Sequence, residues 1–422
     1  MGFRAESESG GPSGGSVAPR NGMLDSAGAR LLVYSQDGLG LGHLRRTNSL
    51  ARRFLAACPG ACVLLVSDSP AGTFFGVAPN QDYLKLPSIV KSTPGVWRGA
   101  SLPISGDDML ELRRDLILSA ALSFKPDIFL VDHMPHGARG ELIPTLDHLR
   151  STSTRVVLGL RDIVDSPSTV KRRWELEGAY KALDESYDLV LVYGNQDVYD
   201  VGVEYDLPAG AASRLHYCGY VCTAQPAQQA RRVRAGCLNG SGPDGRLIVA
   251  TAGGGADAYP LMEALVDAMP MISASGPCAL TIITGPFMSP LQRRALQERA
   301  NGSHVRIKTS VPNLLSYIAA SDVVVGMAGY NTTVEVLRMA KPAVLVPRAG
   351  PSAEQRTRAR LFGERGWVDV IEPEVLSPHR LAAGVIDALE RPSRSELPPP
   401  DLRGLDVAVN KLVAELGELV PA

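Results

Sequence analysis

The sequence predicts an α/β protein built from two doubly wound, Rossmann-like domains that face one another across a cleft. Short β-branched apolar runs alternate with stretches of helical period, as a mostly parallel sheet with crossover helices requires. Each half of the chain carries a glycine-rich loop directly after a strand, at residues 36–43 (QDGLGLGH) and 251–257 (TAGGGAD). Between the halves, residues 223–245 shift to Gln, Ala, Arg and Gly with no apolar pattern, which marks a linker. At 422 residues the chain is long enough for two cores.

Residues 1–29 are rich in Gly and Ser and offer no apolar period, so they read as a disordered leader before a first domain of 30–222. The first strand is expected at 31–35. A helix follows the glycine loop, with Leu44, Leu50 or Ala51, Phe54 and Cys58 on its apolar side. Gly38, Gly40 and Gly42 suggest a dinucleotide loop, but G-x-G-x-G is not the G-x-G-x-x-G of nicotinamide and flavin enzymes. His43 ends the loop where a helix starts. It serves either as a cap or core side chain, or as a neutral imidazole that removes a proton from an attacking hydroxyl, with Asp37 orienting it or acting as a turn residue.

Further strands are expected at 62–67, 128–132, 156–160 and 189–193, with helices near 109–124 and 168–186. Asp132, His133 and His136 follow a strand and should enter the cleft, as should Arg161 and Asp162. Asp132 and Asp162 are thus rivals of His43 as the base. The H-x-x-H pair lacks an evident third ligand, and no metal site is expected. Residues 73–105, with Phe74, Phe75 and Trp97 among Pro and Gly, read as a packed loop or as a mobile acceptor-side or membrane-touching one. Six cysteines occur without a CxxC and are expected to be reduced core residues.

The second series, a domain of 246–392, opens with a strand at 247–250. Gly253, Gly254 and Gly255 let backbone amides approach a diphosphate, and the helix behind them adds its dipole. Strands at 280–284 and 305–308 lead to 323–355, VVVGMAGYNTTVEVLRMAKPAVLVPRAGPSAEQ, which reads as strand, turn, helix, strand, and a polar loop opening a helix. Thr332 and Glu335 stand in the S/T-x-x-E relation of a capping box, so a helix beginning near Asn331, after Gly329, would present free amides to phosphate. Glu335 either reaches back to that terminus or accepts hydrogen bonds from a ribose diol. Glu354 and Gln355 lie past the carboxyl end of the strand at 342–347, where open α/β sheets bind ligands, or else form an acid-biased first turn. Arg348 is a further candidate for phosphate. Residues 393–422 combine a proline-rich passage with an amphipathic helix near 405–419.

The pattern G-x-x-T-x-x-E from Gly329 to Glu335, the strand ending at Pro347, and Glu354-Gln355 before a basic helix resemble the donor-nucleotide signature of the family 28, MurG-like glycosyltransferases. The likeness is densest over 323–362. It implies a GT-B fold, ribose on Glu335, the donor sugar near Glu354 and Gln355, and a first loop (Gly40, Gly42) beneath the diphosphate. It also implies a final helix that crosses back to the first domain. Glu354 departs from the basic or glutamine residue expected there, which leaves the sugar open.

The resulting expectation is an inverting, metal-independent transfer from a uridine-linked nucleoside diphosphate sugar to a hydroxyl acceptor, such as a lipid-linked or cell-envelope glycan. No resident cofactor is expected, and the chain has no D-x-D to hold a divalent ion on the diphosphate, so helix N termini must take the leaving-group charge. Alternatives are a nucleotide-sugar epimerase or hydrolase of the same form, and a binding protein without chemistry. With 43 basic and 44 acidic side chains there is no global field for nucleic acid. No apolar stretch reaches the ~20 residues of a membrane span, so the chain reads as cytoplasmic, with peripheral contact at the inner membrane face implied by the resemblance.

Overall fold

A computed structural model describes residues 28–419 apart from 37–41, 70–75, 94–95, 223–228, 239–243, 301–303 and 392–397. The expected leader, Asp37, Gly38, Gly40, Phe74 and Phe75 lie outside the described residues.

Two parallel sheets form the molecule, as the alternating pattern requires. The first contains β1 (Arg30–Ser35), β2 (Cys62–Ser67), β3 (Gln81–Lys85), β6 (Ile128–Asp132), β7 (Arg155–Arg161), β8 (Leu189–Tyr193) and β9 (Leu215–Tyr217), in the order β3-β2-β1-β6-β7-β8-β9. A separate antiparallel hairpin joins β4 (Ile89–Thr93) to β5 (Val96–Gly99). The second sheet contains β10 (Arg246–Thr251), β11 (Cys278–Ile283), β12 (Val305–Lys308), β13 (Val323–Gly326), β14 (Ala343–Leu345) and β15 (Asp369–Val370), in the order β12-β11-β10-β13-β14-β15.

Central strands such as β6 and β8 are buried at every position, which explains their unbroken apolar sequences. Each buried Val, Leu or Ile contributes about 1.5–3 kcal/mol over an exposed one.

Strand order reverses at β1 in the first sheet, between β2 and β6, and at β10 in the second, between β11 and β13. Crevices open outside the strand ends at such switch points. The second glycine loop leaves β10 at its switch point, and α1 begins at Gly42 after the switch strand of the first sheet.

The helices that matter for the site are α1 (Gly42–Ala57), α2 (Gly106–Phe124), α3 (Ala230–Cys237), α4 (Tyr259–Ala274), α5 (Tyr330–Arg338), α6 (Glu354–Glu364) and α7 (Gly404–Leu419). α3 occupies part of the expected linker: Arg234 donates to the Ala320 carbonyl at 2.8 Å and pairs with Asp322 at 2.9 Å, which pins that helix to the second domain. The single helix expected over 168–186 is two, Pro167–Glu177 and Ala179–Glu185. Gly178, at φ +70, breaks it.

The two halves share an apolar core in which Leu44, Tyr193 and Tyr220 of the first domain pack with Ala328, Tyr330 and Phe362 of the second. The Tyr330 hydroxyl accepts from the Val221 amide at 2.8 Å and donates to the Tyr193 carbonyl at 3.0 Å. α7 packs on α1 through buried Ala408, Val409 and Leu412, and Arg53 pairs with Asp406 at 2.6 Å. The chain therefore closes back on the first domain. None of the six cysteines forms a disulfide.

Candidate active site between the domains

His43 stands in the first turn of α1, where the chain leaves the β1 loop. Its Nδ1 lies 2.5 Å from Asp132 Oδ2. Arg46, one turn on, reaches both Asp132 oxygens at 2.9 Å and Oδ1 again through Nε at 3.1 Å. Burial pushes the Asp132 carboxyl up, but Arg46 and then His43 outweigh it and hold the group below the usual carboxylate range. An ionised Asp132 accepts a hydrogen bond from Nδ1–H, which leaves Nε2 as the lone-pair nitrogen. The His43 side chain is 19% exposed and Asp132 is fully buried.

This geometry sorts the three candidate bases. Asp132 is enclosed by His43 and Arg46. Asp162 is also buried, where it accepts from the Tyr220 hydroxyl at 2.7 Å and the Ile163 amide at 2.8 Å and faces Arg358 at 3.4 Å. Of the three, only His43 keeps solvent-facing atoms. Asp37 lies outside the described residues, and Asp132 orients the imidazole.

His133 and His136 do not converge. His133 Nε2 is 3.3 Å from Arg161, and burial, reinforced by that guanidinium, drives its pKa well below the ordinary histidine value. His136 Nδ1 instead meets the Glu177 carbonyl at 2.9 Å.

On the second domain the helix start differs from the expected capping box. Gly329, at φ −68 and ψ 148, is the N-cap of α5, so Thr332 already lies inside the helix and no side chain caps it. The first turn's amides, from Tyr330 onward, have no acceptor within the helix. Asn331 reaches over to the first domain, donating from Nδ2 to the Gly42 carbonyl at 3.3 Å. The N termini of α1 and α5, each the positive end of its dipole, therefore meet across the domain boundary.

Glu335 does not reach back along its own helix. It pairs with Arg45 of α1, is 3% exposed, and leaves its Oε2 without a hydrogen-bond partner. Burial raises its pKa, with Arg45 opposing. With Arg45, Ser49, Cys222 and Asn331 it lines a small pocket between α1 and α5.

Glu354 begins α6 and pairs with Arg161 of the first domain at 2.7 Å and with Arg358 at 2.9 Å. Burial pushes its carboxyl up, but the two guanidiniums prevail and hold it at about 2. Gln355 accepts from the Arg348 amide at 3.0 Å, and Arg348 itself pairs with Asp257 at 2.8 Å beside the second glycine loop.

That loop places Gly253 at φ +60 with open space around its Cβ direction, while Gly255, at φ +90, presses against the Thr284 carbonyl. Gly254 accepts from the Phe287 amide at 2.9 Å. Sequence reasoning did not single out Arg45, Arg46 or Arg358. The doubled arginine one residue past the G-H of the first loop was the available signal.

A model of the glycosyltransferase family 28 C-terminal domain matches residues 248–400, the half that supplies α5 and α6. The second domain belongs to glycosyltransferase family 28.

An uncharacterised glycosyltransferase of Methanopyrus kandleri is 26% identical over 216 residues, 51% of this chain and 57% of that protein. The UDP-N-acetylglucosamine–N-acetylmuramyl-(pentapeptide) pyrophosphoryl-undecaprenol N-acetylglucosamine transferase of Bacillus licheniformis is 27% identical over 148 residues, 35% of this chain and 40% of that one. The chain thus spans about half the length of the curated relatives it matches.

Among solved structures, Acinetobacter baumannii MurG superposes at a TM-score of 0.54 with 15% identity, covering 93% of this chain and 98% of that one. A putative UDP-N-acetylglucosamine 2-epimerase from Listeria monocytogenes reaches 0.62 with 13% identity, covering 93% and 96%. These likenesses extend the GT-B-type fold beyond the family 28 domain to both halves of the chain. Among the described residues, no helix is long and apolar enough to cross a membrane.

Proposed function

We propose that the chain is an inverting, metal-independent glycosyltransferase that moves a sugar from a UDP-linked donor to a hydroxyl acceptor. The observation that carries this reading is the meeting of the α1 and α5 N termini, joined by Asn331 and Gly42, beside an oriented histidine and a buried carboxylate. Two helix N termini give a diphosphate amide donors and positive dipole ends. Glu335 accepts from the ribose, and Gln355 and Glu354 face the donor sugar.

His43 Nε2 takes the proton of the acceptor hydroxyl as that oxygen bonds to the anomeric carbon. The bond from that carbon to the diphosphate oxygen breaks on the opposite face, UDP leaves, and configuration inverts. Asp132 stabilises the imidazolium that forms. Helix amides take up the leaving-group charge.

The name of the Bacillus licheniformis relative supports a UDP-N-acetylglucosamine donor and a pyrophosphoryl-undecaprenol-linked acceptor. A second reading, a UDP-sugar epimerase or hydrolase, is favoured by the higher superposition score of the epimerase neighbour.

The test is to incubate purified protein with a panel of UDP-sugars, with and without an extract of its own cells and with EDTA, and to follow UDP release and glycosylated products by mass spectrometry. Acceptor-dependent, EDTA-resistant release supports the transferase. Equal turnover in water alone supports the second reading.

A further inference from the structure

Glu335 is only half satisfied. One oxygen meets Arg45, which belongs to the other domain, and the second is buried in the wall of the cavity between α1 and α5 without a partner. An unpaired buried carboxylate oxygen costs free energy until a ligand donor reaches it. Val221 and Cys222 line the same pocket. This half-satisfied pairing is a built acceptor for a hydroxyl group.

We propose that Arg45 is a positioning residue of the donor site. It holds Glu335 in one orientation through the first oxygen, so that Oε2 is presented to a ribose hydroxyl. Because Arg45 sits on the first domain and Glu335 on the second, the ribose-reading group is complete only when the domains are together. Recognition of the sugar half of the nucleotide is thereby coupled to closure. This rests on the donor reading above and adds to it a residue that need not touch the donor's ribose.

The charged and titratable groups around Glu335 are Arg45 and Arg46 on α1, Cys222 on the segment after β9, and Arg338 on α5 itself. Cys222 is held up at about 12 by burial and stays a neutral thiol. Removing Arg45 deletes the guanidinium that opposes the burial of Glu335. The carboxyl then protonates at higher pH and loses acceptor strength.

The test compares UDP with its 2′-deoxy and 3′-deoxy forms by calorimetry on the full chain, for wild type, Arg45→Met, Arg45→Lys and Glu335→Gln, between pH 5 and 8. A hydrogen bond to an ionised group is worth roughly a 10- to 100-fold preference for the ribose form. Wild type should show it, Arg45→Met should cut it to under about 3-fold, and Arg45→Lys should restore most of it. The pH at which the preference is half lost should be higher in Arg45→Met than in wild type. Full preference in Arg45→Met, together with its loss in Glu335→Gln, overturns the role of Arg45 and leaves the donor site standing. Absence of UDP binding to wild type overturns both.

Discussion

In the proposed mechanism Asp132 makes a base of His43 by fixing which ring nitrogen carries the proton, and Arg46, paired with Asp132, keeps that carboxylate ionised. Asp132→Asn should therefore lower kcat by roughly 10²–10⁴ with little change in donor KM, and His43→Ala should do at least as much, measured as steady-state UDP release. In the proposed donor site Glu335 acts on binding. Glu335→Ala should raise donor KM about 10-fold or more while kcat changes little, in the same assay.

At this scale the sequence showed which residues gather in the cleft but not how they pair. His43 and Asp132 both follow strand ends that the topology brings together, yet nothing in their spacing distinguishes base from orienting acid. Burial decides that, and burial of Asp132 depends on Arg46, a residue 86 positions away in the chain.

The two glycine loops show how one composition serves two ends. Gly255→Ala would set a Cβ 1.8 Å from the Thr284 carbonyl oxygen at φ +90. It should cost about 2–4 kcal/mol through strain and overpacking, read from urea unfolding. At Gly253, with φ +60 and nothing within 4 Å of the added Cβ, alanine should cost only about 1 kcal/mol. The run of three glycines was legible as a loop needing close approach, but part of that need comes from packing on the 284–285 segment.

Elements with buried, β-branched sequences such as β6, β8 and β13 were readable directly. β3, QDYLK, was not, because an edge strand is wet on one side and its polar letters hide it. Nor was the helix start at Tyr330. Thr332 and Glu335 satisfy the capping-box spacing, but Gly329 takes the cap and frees Glu335 to cross to Arg45.

Across the whole molecule, closure rests on ion pairs between the domains, Arg45–Glu335, Arg161–Glu354 and Arg358–Asp162, around the shared aromatic core of Tyr193, Tyr220 and Tyr330. Arg161 and Arg358 depress Glu354 from 4.5 to about 2. Its contribution to stability is then fully present above about pH 4.5 and is lost as pH falls toward about 2. In thermal denaturation, Glu354→Gln should lower the midpoint relative to wild type at pH 7, and the gap should shrink progressively below pH 4.5.

Two sheets and their order of elements were evident from the alternation of patterns. The tight seal between them was not, since it is made by long-range arginine pairs that no local period announces.

A crystal structure of the protein with UDP tests the central claim most directly. The diphosphate should lie between Gly42 of α1 and Asn331 of α5, with a ribose hydroxyl on Glu335 Oε2 and His43 facing the open side. Nucleotide bound elsewhere, or bound there with its ribose turned away from Glu335, would contradict it.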